Sequence, residues 1–122
     1  MKLYHRDIGF PPILITRLSG WTTELKYGPH ARRACLSDKY GVITRPPRSV
    51  TLTADNLVEV ETGESGEPRK AVVRVDYDKD YDLVLTLGGF GGLKDGFVRT
   101  CWLNEKNDHH FSLDKSKYCA II

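Results

Sequence analysis

From residue 56 onward the chain alternates short apolar segments with tight turns, and this arrangement sets the strongest limit on its fold. The segments have the length and the enrichment in valine, leucine and threonine that are typical of strands. The connections are a turn at residues 63–66, a turn at residues 78–80 and a glycine-rich loop, all too short for a crossover helix. The predicted strands are Leu57–Thr62, Lys70–Tyr77, Tyr81–Leu87 and Phe97–Leu103. We therefore expect a four-stranded antiparallel meander.

Alternation within these strands predicts one buried face and one polar face. The residues expected in the core are Val58, Val60, Val73, Val75, Leu83, Leu85 and Leu87. The side chains expected on the other face are Arg74, Thr86, Thr100 and Trp102. Strict alternation would place Arg99 on the core side, so the pattern is imperfect there.

A helix is predicted upstream of the strands. Gly28 and Pro29 break a short extended segment at residues 22–27, and proline suits the first turn of a helix running to about Lys39. Packing this helix on the sheet gives an α+β fold, with an N-terminal helical segment on a four-stranded antiparallel meander. We expect one domain over residues 1–122, with an irregular arm or short strand at 1–20, a connecting loop with room for one extended piece at 40–54, and a core at 21–118.

Composition excludes several classes of protein. With 40% hydrophobic and 28% charged residues, the chain has the composition of a soluble globular protein. Its apolar runs fall short of the roughly 18 to 20 residues that span a membrane. It shows no secretory signal, and its three cysteines, Cys35, Cys101 and Cys119, form no close pair. These features favour a cytoplasmic protein with reduced thiols.

Charge is unevenly distributed, although the net charge is only +2. The stretch from residue 26 to 48 has a single acid, Asp38, and could meet phosphate. Its basic residues are Lys26, Arg32, Arg33, Lys39, Arg45 and Arg48. The next stretch is acidic, and we interpret it as a solvated edge and hairpin that repels RNA. Its acids are Asp55, Glu59, Glu61, Glu64 and Glu67.

Two groups of residues are candidates for a site. Thr100, Trp102 and Asn104 recur every second residue and so share one face of a strand. An exposed indole beside a hydroxyl offers a surface for base stacking and a hydrogen bond to phosphate, whereas a buried Trp102 would only fill the core. His30, near cations at a helix start, suits general acid or base catalysis; the alternative is an ordinary surface histidine.

Other motifs point to no cofactor and no metal. His109 and His110 beside Asp108 are adjacent in sequence, so their side chains diverge, and no second ligand pair occurs at metal-binding spacing. The glycine-rich loop at residues 88–92 joins two predicted strands and fits neither phosphate-binding fingerprint. Cys35 lies within the predicted helix and not in a nucleophile elbow.

Together these segments resemble the colicin D-like tRNA-cleaving toxin domains and the wider superfamily of barnase, EndoU, colicin and RelE type ribonucleases, phage-encoded members included. Colicin D-like domains carry Lys-His-Ala at a helix and Ser-x-Trp on a late strand. The matching residues here are Pro29-His30-Ala31 and Thr100-Cys101-Trp102. Proline thus stands in place of the lysine, and threonine in place of the serine.

The resemblance implies metal-independent cleavage of RNA, with tRNA as one candidate, by attack of a ribose 2′-hydroxyl to leave a 2′,3′-cyclic phosphate. It also implies an antitoxin or immunity protein as a possible partner. The catalytic residues it implies are His30, Thr100 and, as a second proton carrier, His110. The substrate-binding residues it implies are Lys26, Arg32, Arg33, Arg74, Trp102 and Asn104.

Two alternatives stay open. The chain could be a small, non-catalytic phage or bacterial protein that binds a host protein or RNA, in which case His30 is dispensable. It could also be a nuclease-fold protein that binds RNA without cutting it. Neutralising Arg32 and Arg33 would separate RNA binding from binding of a host protein, because phosphate contacts make RNA affinity salt-dependent.

Overall fold

The protein is described by a computed structural model, which covers residues 1–88, 92–108 and 115–120. Within these residues the chain forms two α-helices, eight strands and two short 3-10 helices. The helices are α1 (Pro12–Leu18) and α2 (Pro29–Leu36), and the 3-10 helices are Leu93–Asp95 and Lys115–Lys117. The strands are β1 (Lys2–His5), β2 (Thr22–Glu24), β3 (Lys26–Tyr27), β4 (Ser49–Thr51), β5 (Leu57–Thr62), β6 (Pro68–Asp76), β7 (Tyr81–Leu87) and β8 (Phe97–Glu105).

The main sheet has six strands in the order β1-β5-β6-β7-β8-β3. The predicted meander forms its centre, and β5 and β7 have the predicted bounds. The prediction of only four strands is wrong, because β1 pairs antiparallel with β5 and β3 pairs parallel with β8. A separate two-stranded sheet joins β2 to β4, and β4 is the one extended piece allowed for in the predicted loop at 40–54. The α+β class is confirmed.

Residues 1–20 contain regular structure. The short strand allowed for there is β1, in which Tyr4 lies opposite Val60 of β5. The Pro11-Pro12 pair begins α1, because proline is well accommodated in the first turn of a helix. Leu14 and Leu18 of α1 are buried in the main core. None of the helices in the described part of the chain is long and apolar enough to cross a membrane.

The core lies on one face of the sheet, beneath both helices. Most residues predicted for it are in the buried cluster, namely Val60, Val73, Leu83, Leu85 and Leu87, and Val75 packs against it partly buried. Val58 is buried but lies outside the cluster. The β5–β6 register shifts between Leu57 and Glu59, so Val58 is an extra residue and Leu57 takes the core position.

Helix α2 packs on β8 through small side chains. Ala31 is fully buried, and the Sγ atoms of Cys35 and Cys101 lie 3.3 Å apart. The helix ends at Leu36, three residues before the predicted end at Lys39. It ends there because the following Asp38 carboxylate accepts hydrogen bonds from the backbone N–H groups of Leu103 and Tyr40, at 3.1 Å each. Burial, with a smaller effect of Cys35, raises the pKa of Cys101 to about 12.

We expect one cysteine thiol to react rapidly with a thiol reagent and the other two to be protected. Cys119 is only half-buried, whereas Cys35 and Cys101 are buried and the raised pKa keeps Cys101 protonated at neutral pH. A thiol reagent should therefore modify one cysteine in the native protein and all three in guanidinium chloride. Cys119→Ser should abolish the fast phase, and a fast phase of more than one thiol would contradict this packing.

A cluster of ion pairs lies on the other face of the sheet and links β6, β7 and the end of β8. Arg74 of β6 is only 9% exposed, and its Nε lies 2.7 Å from Asp82 Oδ2 on β7. The same guanidinium donates to the carbonyls of Asp108 and Glu105, at 2.7 and 2.9 Å. Lys106 Nζ lies 2.8 Å from Asp82 Oδ1. Burial alone would raise the pKa of Asp82, but hydrogen bonds from Lys106 and Arg74 and their charges lower it.

Asp82→Asn should lower the free energy of unfolding by roughly 2 to 3 kcal/mol, because it leaves the buried Arg74 charge without its carboxylate. The folded-state pKa of Asp82 lies below the unfolded value of about 3.9. Its contribution is thus present above that pH and is lost as pH falls through the folded-state pKa. Denaturant titrations at several pH values should show a weaker acid dependence in Asp82→Asn. The exposed Asp80→Asn is the control, and equal losses in both variants would refute the role of Asp82.

Candidate active site

A cleft of about 700 Å³ opens on the polar face of the sheet, beside the start of α2. We call this the His30 cleft. Apolar walls come from β1, β6, β7 and the start of β8, whereas the polar groups come from five different elements. Its polar and charged lining residues are His30, Glu59, Glu61, Lys70, Thr86, Arg99 and Thr100. The two segments singled out by the sequence, around His30 and around Thr100, therefore meet at one cleft.

His30 reaches the cleft because of the junction between β3 and α2. Strand β3 ends at Tyr27, Gly28 caps the helix, and Pro29 occupies its first turn. A Cβ added at Gly28 would lie 2.7 Å from Cζ of Phe97, so a larger residue at this position would require the Phe97 ring to shift. The approach places the exposed His30 in the cleft wall with Phe97.

A β-bulge aims Arg99 into the cleft. In the β7–β8 register Leu87 lies opposite Val98 and Thr86 lies opposite Thr100, so Arg99 is the extra residue. Val98 is fully buried in the core, while Arg99 is exposed. The bulge resolves the imperfect alternation of the sequence, because it keeps Val98 on the core face and brings Arg99 and Thr100 to the cleft.

The two threonines of the cleft have different hydrogen bonds. The Thr86 hydroxyl accepts from the Thr100 backbone N–H at 3.1 Å and donates to the Thr100 carbonyl at 3.2 Å. Both hydrogen bonds of the Thr86 hydroxyl are therefore made within the sheet. The Thr100 hydroxyl makes no hydrogen bond to any residue within the described ranges. Thr100 is thus the threonine whose hydroxyl can bond a ligand.

The acidic side chains of the cleft have partners within the protein. Lys70 Nζ lies 3.8 Å from Glu61 Oε2, and Glu59 accepts a hydrogen bond from the Tyr118 hydroxyl. Both glutamates line the cleft, although the acidic run was predicted to be a solvated edge. The Arg99 guanidinium has no ion-pair or hydrogen-bond partner among the described residues. An anion could bind there without displacing a side chain.

A second cleft of about 710 Å³ lies next to the first and shares Lys70, Phe97 and Arg99 with it. We call it the Lys26 cleft. Its other described lining residues are Lys26, Arg69, Gly88 and Asp95. Lys26 was predicted to bind substrate, and the structure places it here, across Phe97 and Arg99 from His30.

Several predicted site residues lie elsewhere. Arg74 is held in the ion cluster, and Asn104 is buried with its Nδ2 donating to the carbonyl of Asp108 at 2.9 Å. Trp102 is half-buried on the same strand as Thr100 but does not line the His30 cleft. Arg32 and Arg33 are exposed on α2, also outside the cleft, and Arg32 Nε donates to the Tyr27 carbonyl at 3.0 Å. His110 and His109 lie outside the described residues.

Several residues that the structure brings to the clefts were not predicted as site residues. Among them are Glu61, Arg69, Lys70, Phe97 and Arg99. The opposite charges of Glu61 and Lys70 are one available signal, because these residues pair directly across the first hairpin. The bulge that exposes Arg99 has no comparable signal beyond the broken alternation.

No protein-family model, curated protein or solved structure matches this chain. Within residues 1–88, 92–108 and 115–120, no three His, Cys, Asp or Glu side chains are grouped as metal ligands would be. The resemblance to colicin D-like ribonucleases therefore stays a prediction, and the geometry of the two clefts is what bears on function.

Proposed function

We propose that the protein is a metal-independent endoribonuclease whose active site is the His30 cleft, with tRNA as a candidate substrate. The observation that supports this most is the meeting of His30, Thr100 and Arg99 in one open cleft. An imidazole, together with a hydroxyl and a guanidinium that have no partner among the described residues, can move protons at a phosphate and stabilise the charge on it. His30 comes from α2 and the other two from β8, so no local pattern brings the imidazole to the hydroxyl and the guanidinium.

In the proposed reaction the ribose 2′-oxygen forms a bond to the adjacent phosphorus, and the bond to the 5′-oxygen of the next nucleotide breaks. The 2′-hydroxyl loses a proton and the leaving 5′-oxygen gains one. Glu61, a carboxylate in the same cleft, accepts the proton of the 2′-hydroxyl, and His30 donates a proton to the leaving 5′-oxygen. His110 remains a predicted second carrier. DNA lacks the attacking hydroxyl and would not be cut.

The remaining groups bind the phosphate and the chain. Arg99 and Lys70 face the developing negative charge, and the Thr100 hydroxyl donates to a phosphate oxygen. Lys26 adds a positive charge from the neighbouring Lys26 cleft. Arg74 and Asn104, in contrast, stabilise the sheet and the chain after β8 in this proposal. A ribonuclease of this kind would need an inhibitor of the antitoxin or immunity class in its own cell.

His30→Ala should reduce cleavage of total tRNA by about 10² to 10⁴-fold, the usual contribution of a general acid or base. Arg99→Gln should cost about 10² to 10³-fold, as for loss of one donor to a developing anion. Both side chains are exposed, so the melting temperature should stay close to that of the wild type. The assay is a gel of tRNA fragments in excess EDTA, with the fragment ends tested for cyclic phosphate.

Lys79→Ala is the matched control, because this exposed lysine lies in the turn between β6 and β7, away from the lining residues of the cleft. It should cleave like the wild type. Equal cleavage by wild type and His30→Ala would remove the proposed mechanism. Absence of cleavage by the wild type, with tRNA binding retained, would favour the RNA-binding alternative.

A further inference from the structure

The Lys26 cleft has more positive charge than the proposed reaction needs. Its four cations face one described carboxylate, that of Asp95. The cations are Lys26, Arg69, Lys70 and Arg99. Lys70 is paired with Glu61, whereas the side chains of the other three have no ion-pair or hydrogen-bond partner among the described residues. Three cations without a partner among those residues repel each other around one concavity, and an anion would relieve that repulsion.

The two clefts are continuous through shared residues. Lys70, Phe97 and Arg99 line both, so a ligand in one cleft lies next to a ligand in the other. The cations are spread over β3, β6 and β8, which suits a run of separated anionic groups better than one compact anion. A polymer of phosphates has this form, and a single nucleotide does not.

Phe97 supplies an apolar surface between the two clefts. It is 37% exposed, and its ring is held by close packing against the backbone at Gly28. Exposed aromatic rings within a basic groove stack on bases, and they reach only bases that are not paired in a duplex.

We propose that the Lys26 cleft is a second phosphate-binding subsite, and that the substrate is a single-stranded segment whose chain crosses Phe97 from one cleft to the other. The phosphate to be cleaved sits in the His30 cleft, and the phosphate of a neighbouring nucleotide sits between Lys26, Arg69 and Arg99. Phe97 stacks on the base between them. This inference rests on the proposed function for the order of the two phosphates, but not for the existence of the second subsite.

The test is the binding of 2′-deoxy oligonucleotides, which cannot undergo the proposed cleavage. The ligands carry one, two or four phosphates, and affinity is measured by titration at several salt concentrations. We expect affinity to rise sharply from one to two phosphates. Lys26→Gln and Arg69→Gln should each remove most of this gain and lower the salt slope by about 0.7, the value for one contact on a single strand.

Phe97→Leu should lower the affinity for the two-phosphate ligand by about 5- to 150-fold, the loss expected for one stacked base. Lys79→Gln, a neutralisation far from the clefts, should leave the difference between one and two phosphates unchanged. If affinity rises from one to two phosphates as much in Lys26→Gln and Arg69→Gln as in the wild type, the second subsite is overturned. Equal affinity for a duplex of the same length would overturn the single-stranded specificity.

Parallel assays of tRNA cleavage separate the two proposals. Length-dependent binding that Lys26→Gln and Arg69→Gln weaken, without any cleavage, would reject the ribonuclease and support the subsite. Cleavage that needs His30, with equal binding of one and two phosphates, would reject the subsite and support the ribonuclease. Both substituted side chains are exposed, and the melting temperature of each variant verifies that the domain is folded.

Discussion

The packing of α2 on β8 is the contact on which the rest of the structure depends. Ala31 and Cys35 are small enough for the helix to lie close to the strand, and Cys35 meets Cys101 in the core. The helix is tied at both ends, by the tight junction at Gly28 and by the Asp38 carboxylate on the backbone of β8. This contact covers the core face of the last strands. It also brings the start of the helix to the edge of the polar face, where the clefts open.

The arginines on the polar face of the sheet have different roles. Arg74 is buried and satisfied by a carboxylate and backbone carbonyls, so its charge stabilises the sheet and is unavailable to a ligand. Arg99 and Arg69 are exposed without partners among the described residues, which leaves their charge available to a ligand. The number of partners, and not the residue type, thus decides which cations belong to a candidate site. Charge counted along the sequence cannot make this distinction.

Much of the central fold was predictable because it depends on local patterns. Alternation and tight turns are properties of neighbouring residues, so β5 and β7 were predicted with their bounds, and Gly28-Pro29 correctly marked the start of α2. The pairing of β1 with β5 and of β3 with β8 was not predicted, because it joins segments far apart in the chain. For the site, His30 and Thr100 were identified from residue types and resemblance. Their shared cleft, and the part that Arg99 has in it, were not.

The sequence by itself determined the α+β class, the antiparallel centre of the sheet and two candidate site residues, since turns, periodicity and side-chain chemistry are local properties. The tertiary structure decided which side chains face a cleft and which are committed to packing. A single extra residue in β8 exposes Arg99 while Val98 stays buried, and burial of Arg74 removes it from the site. Both outcomes depend on strand register and on partners from distant segments, which only the folded chain brings together.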